Sequence, residues 1–129
     1  MNLCIEHVNI NDLKPYKHNL RKHPKKQLQR LGNSIDRFGY NSPIVINSDN
    51  VVLSGNARLE VAKAKGWKTI PCIRVQNMSA EDELAYVIAD NQIGLLASWD
   101  DEILSQALEQ LKDPVLNFDI ELTGFDLAD

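Results

Sequence analysis

Apolar positions along the chain fall into runs whose period changes from one segment to the next. Leu3, Ile5, Val8 and Ile10 alternate loosely and predict a first strand. Leu28, Leu31, Ile35 and Phe38 recur at spacings of 3, 4 and 3, which predicts an amphipathic helix with Pro24 as its first residue and Gly39 at its end. Ile44-Val45-Ile46 and Val51-Val52-Leu53 are short, mostly β-branched runs separated by Ser48-Asp49-Asn50, the pattern of two antiparallel strands joined by a hairpin turn. Gly55 then allows a sharp turn, with Ser54 or Asn56 placed to cap a helix. Leu59 and Ala62 continue at helical spacing until Gly66, and Lys63 and Lys65 suit the negative end of that helix.

Polar punctuation sets the other boundaries. Residues 11–16 read as a turn in which Pro15 prevents further pairing, and residues 17–23 as a polar loop. Residues 67–75 predict another strand, with its Pro71 end near a sheet edge. Ser79 followed by Glu81 and Asp82 predicts a helix start. Its buried stripe is expected at Leu84, Val87, Ile88 and either Gln92 or Ile93, with Asp90-Asn91-Gln92 facing a cleft just before Gly94. Ser98 is expected to cap a last helix with Ile103, Leu104, Ala107, Leu108 and Leu111 on its core face and Pro114 as its stop. The segment 118–126 is apolar enough to dock, and residues 114–129 are expected to lead toward a further domain or a partner.

Composition narrows the class. With 43% apolar and 25% charged residues in 129, the chain suits one ordinary globular domain, 1–129. No apolar run approaches the roughly 20 residues of a membrane helix, and the opening residues are no signal peptide, so a cytoplasmic location without membrane contact is expected. Cys4 and Cys72 lack C-x-x-C spacing and read as reduced thiols without zinc company. The net charge of −4 conceals an asymmetry: Lys14, Lys17, Arg21, Lys22, Lys25, Lys26 and Arg30 are seven of the 14 basic residues, with no acid among them. Such a stretch could attract nucleotide or nucleic-acid phosphates, or be a solvated helix start.

The strand–Gly55–helix junction carries the sharpest chemistry. A helix opened through glycine presents free N–H groups and a partial positive charge, so it can hold a phosphate, and Arg58 one turn in adds a forked donor. The alternative is an ordinary turn with a solvated arginine. His18 and His23 lie five apart in a loop, which is not metal spacing.

Four segments in this order resemble the ParB N-terminal-like (ParB/sulfiredoxin) domain, of the type fused to phage and prophage DNA methyltransferases. They are residues 13–23, the helix from Leu28 to Phe38 with Gly39, the box Ser54-Gly55-Asn56-Ala57-Arg58 with its helix, and Ile88-Ala89-Asp90-Asn91-Gln92. Leu122-Thr123-Gly124-Phe125-Asp126 is similar to the join to the methyltransferase in the fused proteins. The resemblance implies an α/β (α+β) fold, a small mixed sheet with about four helices.

In partition proteins of this family a Gly-Glu-Arg-Arg box holds the triphosphate of CTP. Gly55 and Arg58 match it, while Asn56 and Ala57 replace the glutamate and first arginine, removing a charge-assisted contact of about 1.5–3 kcal/mol. The resemblance therefore implies a phosphate site at Ser54, Gly55, Asn56 and Arg58 with Asn19, Arg21, His23 and Asn91. It also implies Mg²⁺ at Asp90 and Asn91, with CTP or ATP as the nucleotide. Sulfiredoxins carry their catalytic cysteine where this chain has Asn56, so that activity is not expected. The implied role is a regulatory or DNA-associated module, monomeric or dimerising with nucleotide, whose partners are nucleotide, DNA and a DNA methyltransferase domain or subunit. A metal-dependent nuclease using Asp90 with Glu60 or Asp49, a nucleotide triphosphatase, and a degenerate interaction module are the alternatives.

Overall fold

The computed structural model describes residues 3–17 and 22–126. Five strands form one sheet: β1 (Ile5–Asn9), β2 (Lys14–Pro15), β3 (Ile44–Ile46), β4 (Val51–Ser54) and β5 (Thr69–Arg74), in the order β1-β5-β3-β4-β2. The sheet is mixed. β1–β5 and β3–β4 are antiparallel, while β3–β5 and β2–β4 are parallel. Four α-helices accompany it: α1 (Lys25–Phe38), α2 (Asn56–Ala64), α3 (Ala80–Leu95) and α4 (Asp101–Leu111), with 3-10 turns at Ile10–Asp12 and Ile120–Thr123.

One face of the sheet makes the main core. Alternate strand residues Ile44, Ile46, Val52, Ile70 and Cys72 are fully buried and meet Leu59 and Ala62 of α2, with Ile10 and Leu13 closing one end. Tyr40 and Trp67 seal the cluster edge to face, centroids 5.4 Å apart. Leu53 points the other way and is also buried, in the region where α3 packs on β4 and buries Val87.

The β3–β4 turn is organised by Asn47, which the sequence pattern did not single out. Its side chain is buried, and its Oδ1 accepts the N–H groups of Asp49 and Val51, both at 2.9 Å. Its Nδ2 donates to Glu83 on α3 at 3.0 Å, so one amide shapes the hairpin and anchors a helix. Arg74 ties the same turn to the sheet edge: it donates to both Glu6 carboxylate oxygens and to the carbonyl of Asn47 at 2.8 Å.

Several expectations shift. Pro15 does not end pairing; it sits in edge strand β2, where its missing N–H faces no partner strand. Pro71 lies in β5, which runs between β1 and β3 rather than at an edge. From the Ile10–Lys68 bond, ladder alternation makes His7/Pro71 a pair that exchanges no hydrogen bonds, so proline costs β1 nothing. Pro24 caps α1 from outside instead of opening it, and Asp100, not Ser98, caps α4 by accepting the Ile103 N–H at 3.2 Å. α3 continues through Gly94 to Leu95, so Asp90, Asn91 and Gln92 stand inside it. The apolar stripes foreseen on the last two helices are largely uncovered: α3 buries only Val87, α4 buries none, and Ile88, Ile93 and Ile103 are exposed. The segment 118–126 does dock, through buried Ile120.

Burial pushes the Cys72 thiol up from 9.0 to about 11, with the Glu6 carboxylate adding to the shift and Arg74 opposing it. The unfolded thiol ionises near its ordinary value while the folded one keeps its proton, so this contribution to stability is complete below pH 9.0 and lost as pH rises to about 11. Urea midpoints measured across that window should fall more steeply for wild type than for Cys72→Ala; parallel curves would refute the assignment. A thiol reagent should label exposed Cys4 in the folded protein and Cys72 only on unfolding.

Candidate functional site

The chain turns from β4 into α2 at Gly55, which adopts φ 101° and ψ 26°, the left-handed region. A Cβ at this residue would stand 2.6 Å from Ile44 Cγ2 and 3.0 Å from an Arg58 guanidinium nitrogen. Glycine is thus required twice, for its backbone angle and for the closeness of β3. The turn leaves the first N–H groups of α2 without a side-chain cap and with no acid in the first turn. The two residues expected as caps do other work. Ser54 Oγ donates to the Asp90 carboxylate at 2.8 Å, and Asn56 Nδ2 reaches the Val52 carbonyl at 3.4 Å.

Around this helix start, buried polar atoms lack partners. Asn56 Oδ1, Arg58 Nε and the Tyr40 hydroxyl find no partner in good hydrogen-bond geometry among the described residues, though the Arg58 fork touches the Pro43 carbonyl at 3.4 Å and stands beside the Tyr40 hydroxyl. Burial raises the Tyr40 phenol, and the adjacent Arg58 charge works against that rise. Tyr86 of α3 is raised by burial and then by the Asp90 carboxylate, again opposed by Arg58. Arg58 also borders a cavity of about 350 Å³ between the end of α1 and the following loop, shared with Ser34, Tyr40, Asn41 and Ser42. A positive charge, uncapped amides and buried polar atoms are the chemistry that an anion with further hydrogen-bonding groups would need.

α3 brings its share because its register is fixed from its N-terminus to its middle. Ser79 caps it by accepting the Asp82 N–H at 3.1 Å, Glu83 holds Asn47, and Val87 packs beneath. Asp90 consequently lies over Ser54, one turn beyond Tyr86, and Asn91 Nδ2 donates to the Val87 carbonyl at 2.7 Å. A single carboxylate with neighbouring oxygens suits Mg²⁺, which is often held by one or two carboxylates plus substrate phosphates.

The structure thus sets Ser54, Gly55, Asn56, Arg58 and Asp90 about one turn and adds Tyr40, Pro43 and Tyr86, while Asn91, next to Asp90 on α3, gives its Nδ2 to its own helix. Tyr86 could have been found as the residue four before Asp90 on the same helix; nothing local marks Tyr40 or Pro43. Asn19, Arg21 and His18 lie outside the described residues. His23 stands before α1, its Nδ1 3.0 Å from Gln27 Oε1. The basic stretch is not one surface: Lys14 and Lys17 line a groove shared with Glu81 and Glu83, while Lys22 and Lys25 are exposed near the start of α1. Lys26 and Arg30 face the chain's own Asp126. Among the described residues no group of three or more His, Cys, Asp or Glu is placed to hold a metal.

The model of the ParB N-terminal domain matches residues 2–92. The chain belongs to that family. The ParB-like nuclease domain-containing protein YnaK of Escherichia coli (strain K12) is 28% identical over 74 residues, covering 57% of this chain and 85% of YnaK. Among solved structures, the C-terminally truncated partitioning protein ParB of Caulobacter crescentus, in complex with CTP-γ-S, superposes with a TM-score of 0.75 at 19% identity, over 93% of this chain and 70% of that one. The same protein complexed to its centromeric parS site gives 0.56 at 22% identity, covering 67% of this chain and 46% of that one. Sulfiredoxin from Arabidopsis thaliana gives 0.51 at 19% identity, covering 66% and 97%. At these identities the likenesses establish the shared fold of this ParB-family domain, a five-stranded mixed sheet with four helices.

Gly55→Ala should destabilise the domain by about 2–4 kcal/mol, the sum of a left-handed backbone penalty and overpacking against Ile44. Gly66→Ala carries the same backbone sign, φ 76°, but meets nothing within 4 Å, and should cost about 1–2 kcal/mol. Equal losses in urea unfolding would remove the steric argument.

Proposed function

We propose that this ParB-family domain binds the triphosphate of a nucleotide at the β4–α2 turn. The uncapped start of α2 and the Arg58 guanidinium receive the phosphates, and Asp90 with Asn91 supports a Mg²⁺ ion bridging to them. Ser54 orients Asp90. Tyr40 and the cavity beside Arg58 receive the remaining polar part of the nucleotide, and Asn19, Arg21 and His23 are the further contacts that this reading assigns to it. The observation that carries the reading is the buried Nε of Arg58, without a partner among the described residues, beside amides that lack a side-chain cap there. The fold shared with a ParB crystallised with CTP-γ-S supports it. CTP or ATP is the nucleotide class, held without the first arginine of the partition box, since Ala57 stands there.

In the same reading the domain works in the cytoplasm as a DNA-associated regulator, serving a methyltransferase or prophage gene control. Among the described residues no helix is long and apolar enough to cross a membrane. Similarity to YnaK, named for a ParB-like nuclease domain, makes DNA cleavage the rival worth testing.

Isothermal titration with CTP, ATP and GTP in Mg²⁺ tests the proposal. Arg58→Ala should weaken binding at least tenfold, the worth of one charged hydrogen bond, with Arg58→Lys recovering only part because a point charge does not replace a fork. Thermal melts of the same variants separate lost binding from lost folding. Silence of wild type up to millimolar nucleotide would end the proposal. Plasmid nicking that stops on chelation and in Asp90→Ala would favour the nuclease. Tyr40→Phe gives a second check. It removes a buried hydroxyl beside Arg58 that lacks a partner in good geometry, so melting temperature should change little while nucleotide affinity falls.

A further inference from the structure

Lys26, Arg30 and Arg37 stand 4 and 7 residues apart on α1, which lines them along one face of the helix. The row spans about 16 Å at the helical rise. The segment 118–126 lies along this row in the opposite direction. Phe118 packs under Arg37, whose guanidinium sits 5.0 Å from the ring centroid, and stacks with Phe38. Ile120 is buried beneath the middle of the strap, and the Gly124 carbonyl accepts a 2.7 Å hydrogen bond from Arg30. At the far end Asp126 pairs with Arg30 and lies 3.8 Å from Lys26.

Every cation of the row is therefore met by the chain's own strap, which carries Asp119, Glu121 and Asp126 and no lysine or arginine. The apolar contacts hold the strap at one end, and the charged contacts at the other are part-exposed: side chains of Asp126 and Lys26 keep 40% and 70% of their accessibility. Beside that end, Lys22 and Lys25 are exposed and extend the basic character beyond the strap. An internal carboxylate on a row of cations at helical spacing occupies the place of an external polyanion.

We infer that the strap is an autoinhibitory cover over a cationic ridge of α1, and that the ridge, once its Asp126 end lifts, takes the phosphodiester backbone of double-stranded DNA. Such contacts are sequence-independent and weaken with salt. The ridge is separate from the Arg58 site, so loss of nucleotide binding in Arg58→Ala neither supports nor harms this inference.

The test is fluorescence anisotropy of a labelled duplex of about 20 base pairs at low and physiological salt, using the full chain. Asp126→Asn should bind about two- to fivefold tighter than wild type, the worth of an exposed ion pair. Glu102→Gln changes net charge equally on α4, off the ridge, and should bind less tightly than Asp126→Asn. Adding Arg30→Gln to Asp126→Asn should cancel the gain. Amide exchange should show protection lost at Leu122 and Gly124, whose N–H groups bond within the strap, when DNA is added. Equal effects of Asp126→Asn and Glu102→Gln, a gain that survives Arg30→Gln, or no duplex binding by any variant would each overturn the inference.

Discussion

Ile44 and Gly55 approach each other more closely than any side chain at residue 55 would allow, and this contact couples the parts of the molecule that matter most. Ile44 opens β3 and is completely buried in the core; Gly55 closes β4 and starts α2. Their proximity sets how far the α2 N-terminus stands above the sheet. Arg58, one turn later, inherits that height, and so does its relation to Tyr40 and the Pro43 carbonyl. A core packing constraint and the geometry of the proposed site are thus a single fact. A side chain at residue 55 would move the helix and the amides together.

Legibility in the sequence followed how local each cause was. The helical period from Leu28 to Phe38, the two β-branched runs and the Gly55 turn are short-range signals, and each marks an element that is present. Pro71 misled because proline argues only about its own missing N–H; whether a partner needed that N–H depends on ladder phase, set by residues more than 60 positions away. The caps erred by one or two residues for a related reason. Ser54 and Asn56 are good caps in isolation, but Asp90 and the Val52 carbonyl compete for them. Tyr40 and Pro43 come to Arg58 only because β3 returns beside α2, which no spacing encodes. Resemblance to the ParB family named the box and Asp90 together, and the fold sets Asp90 over Ser54; Tyr40 follows only from the return of the chain into β3.

The amphipathic last helices behave differently from α1 and α2. Leu28 and Leu31 of α1 are partly buried against neighbours, whereas Ile93, Leu95, Leu96, Trp99 and Ile103 remain exposed. Periodicity reports that a face is apolar; it does not say what covers it. Trp99 meets Phe125 at 5.5 Å, so the strap on α1 also touches the joint between α3 and α4. The charge asymmetry of the chain is resolved in the same region, with an acidic strap on a basic helix.

The pairing of β1 with β5 has a consequence for synthesis. Glu6 and Arg74 are separated by 68 residues, yet their ion pair and the ladder beside it complete one edge of the sheet. On the ribosome the first strand emerges with nothing to join, and its exposed Leu3 and Ile5 wait while the hairpin, α2 and β5 follow. The hairpin and α2 are contiguous and close small loops; the edge strand closes a large one and so comes late. The edge strand β1 is thereby a late step in folding this sheet, and a nascent chain halted before Arg74 would expose the edge of β5's future neighbour to whatever strand it met.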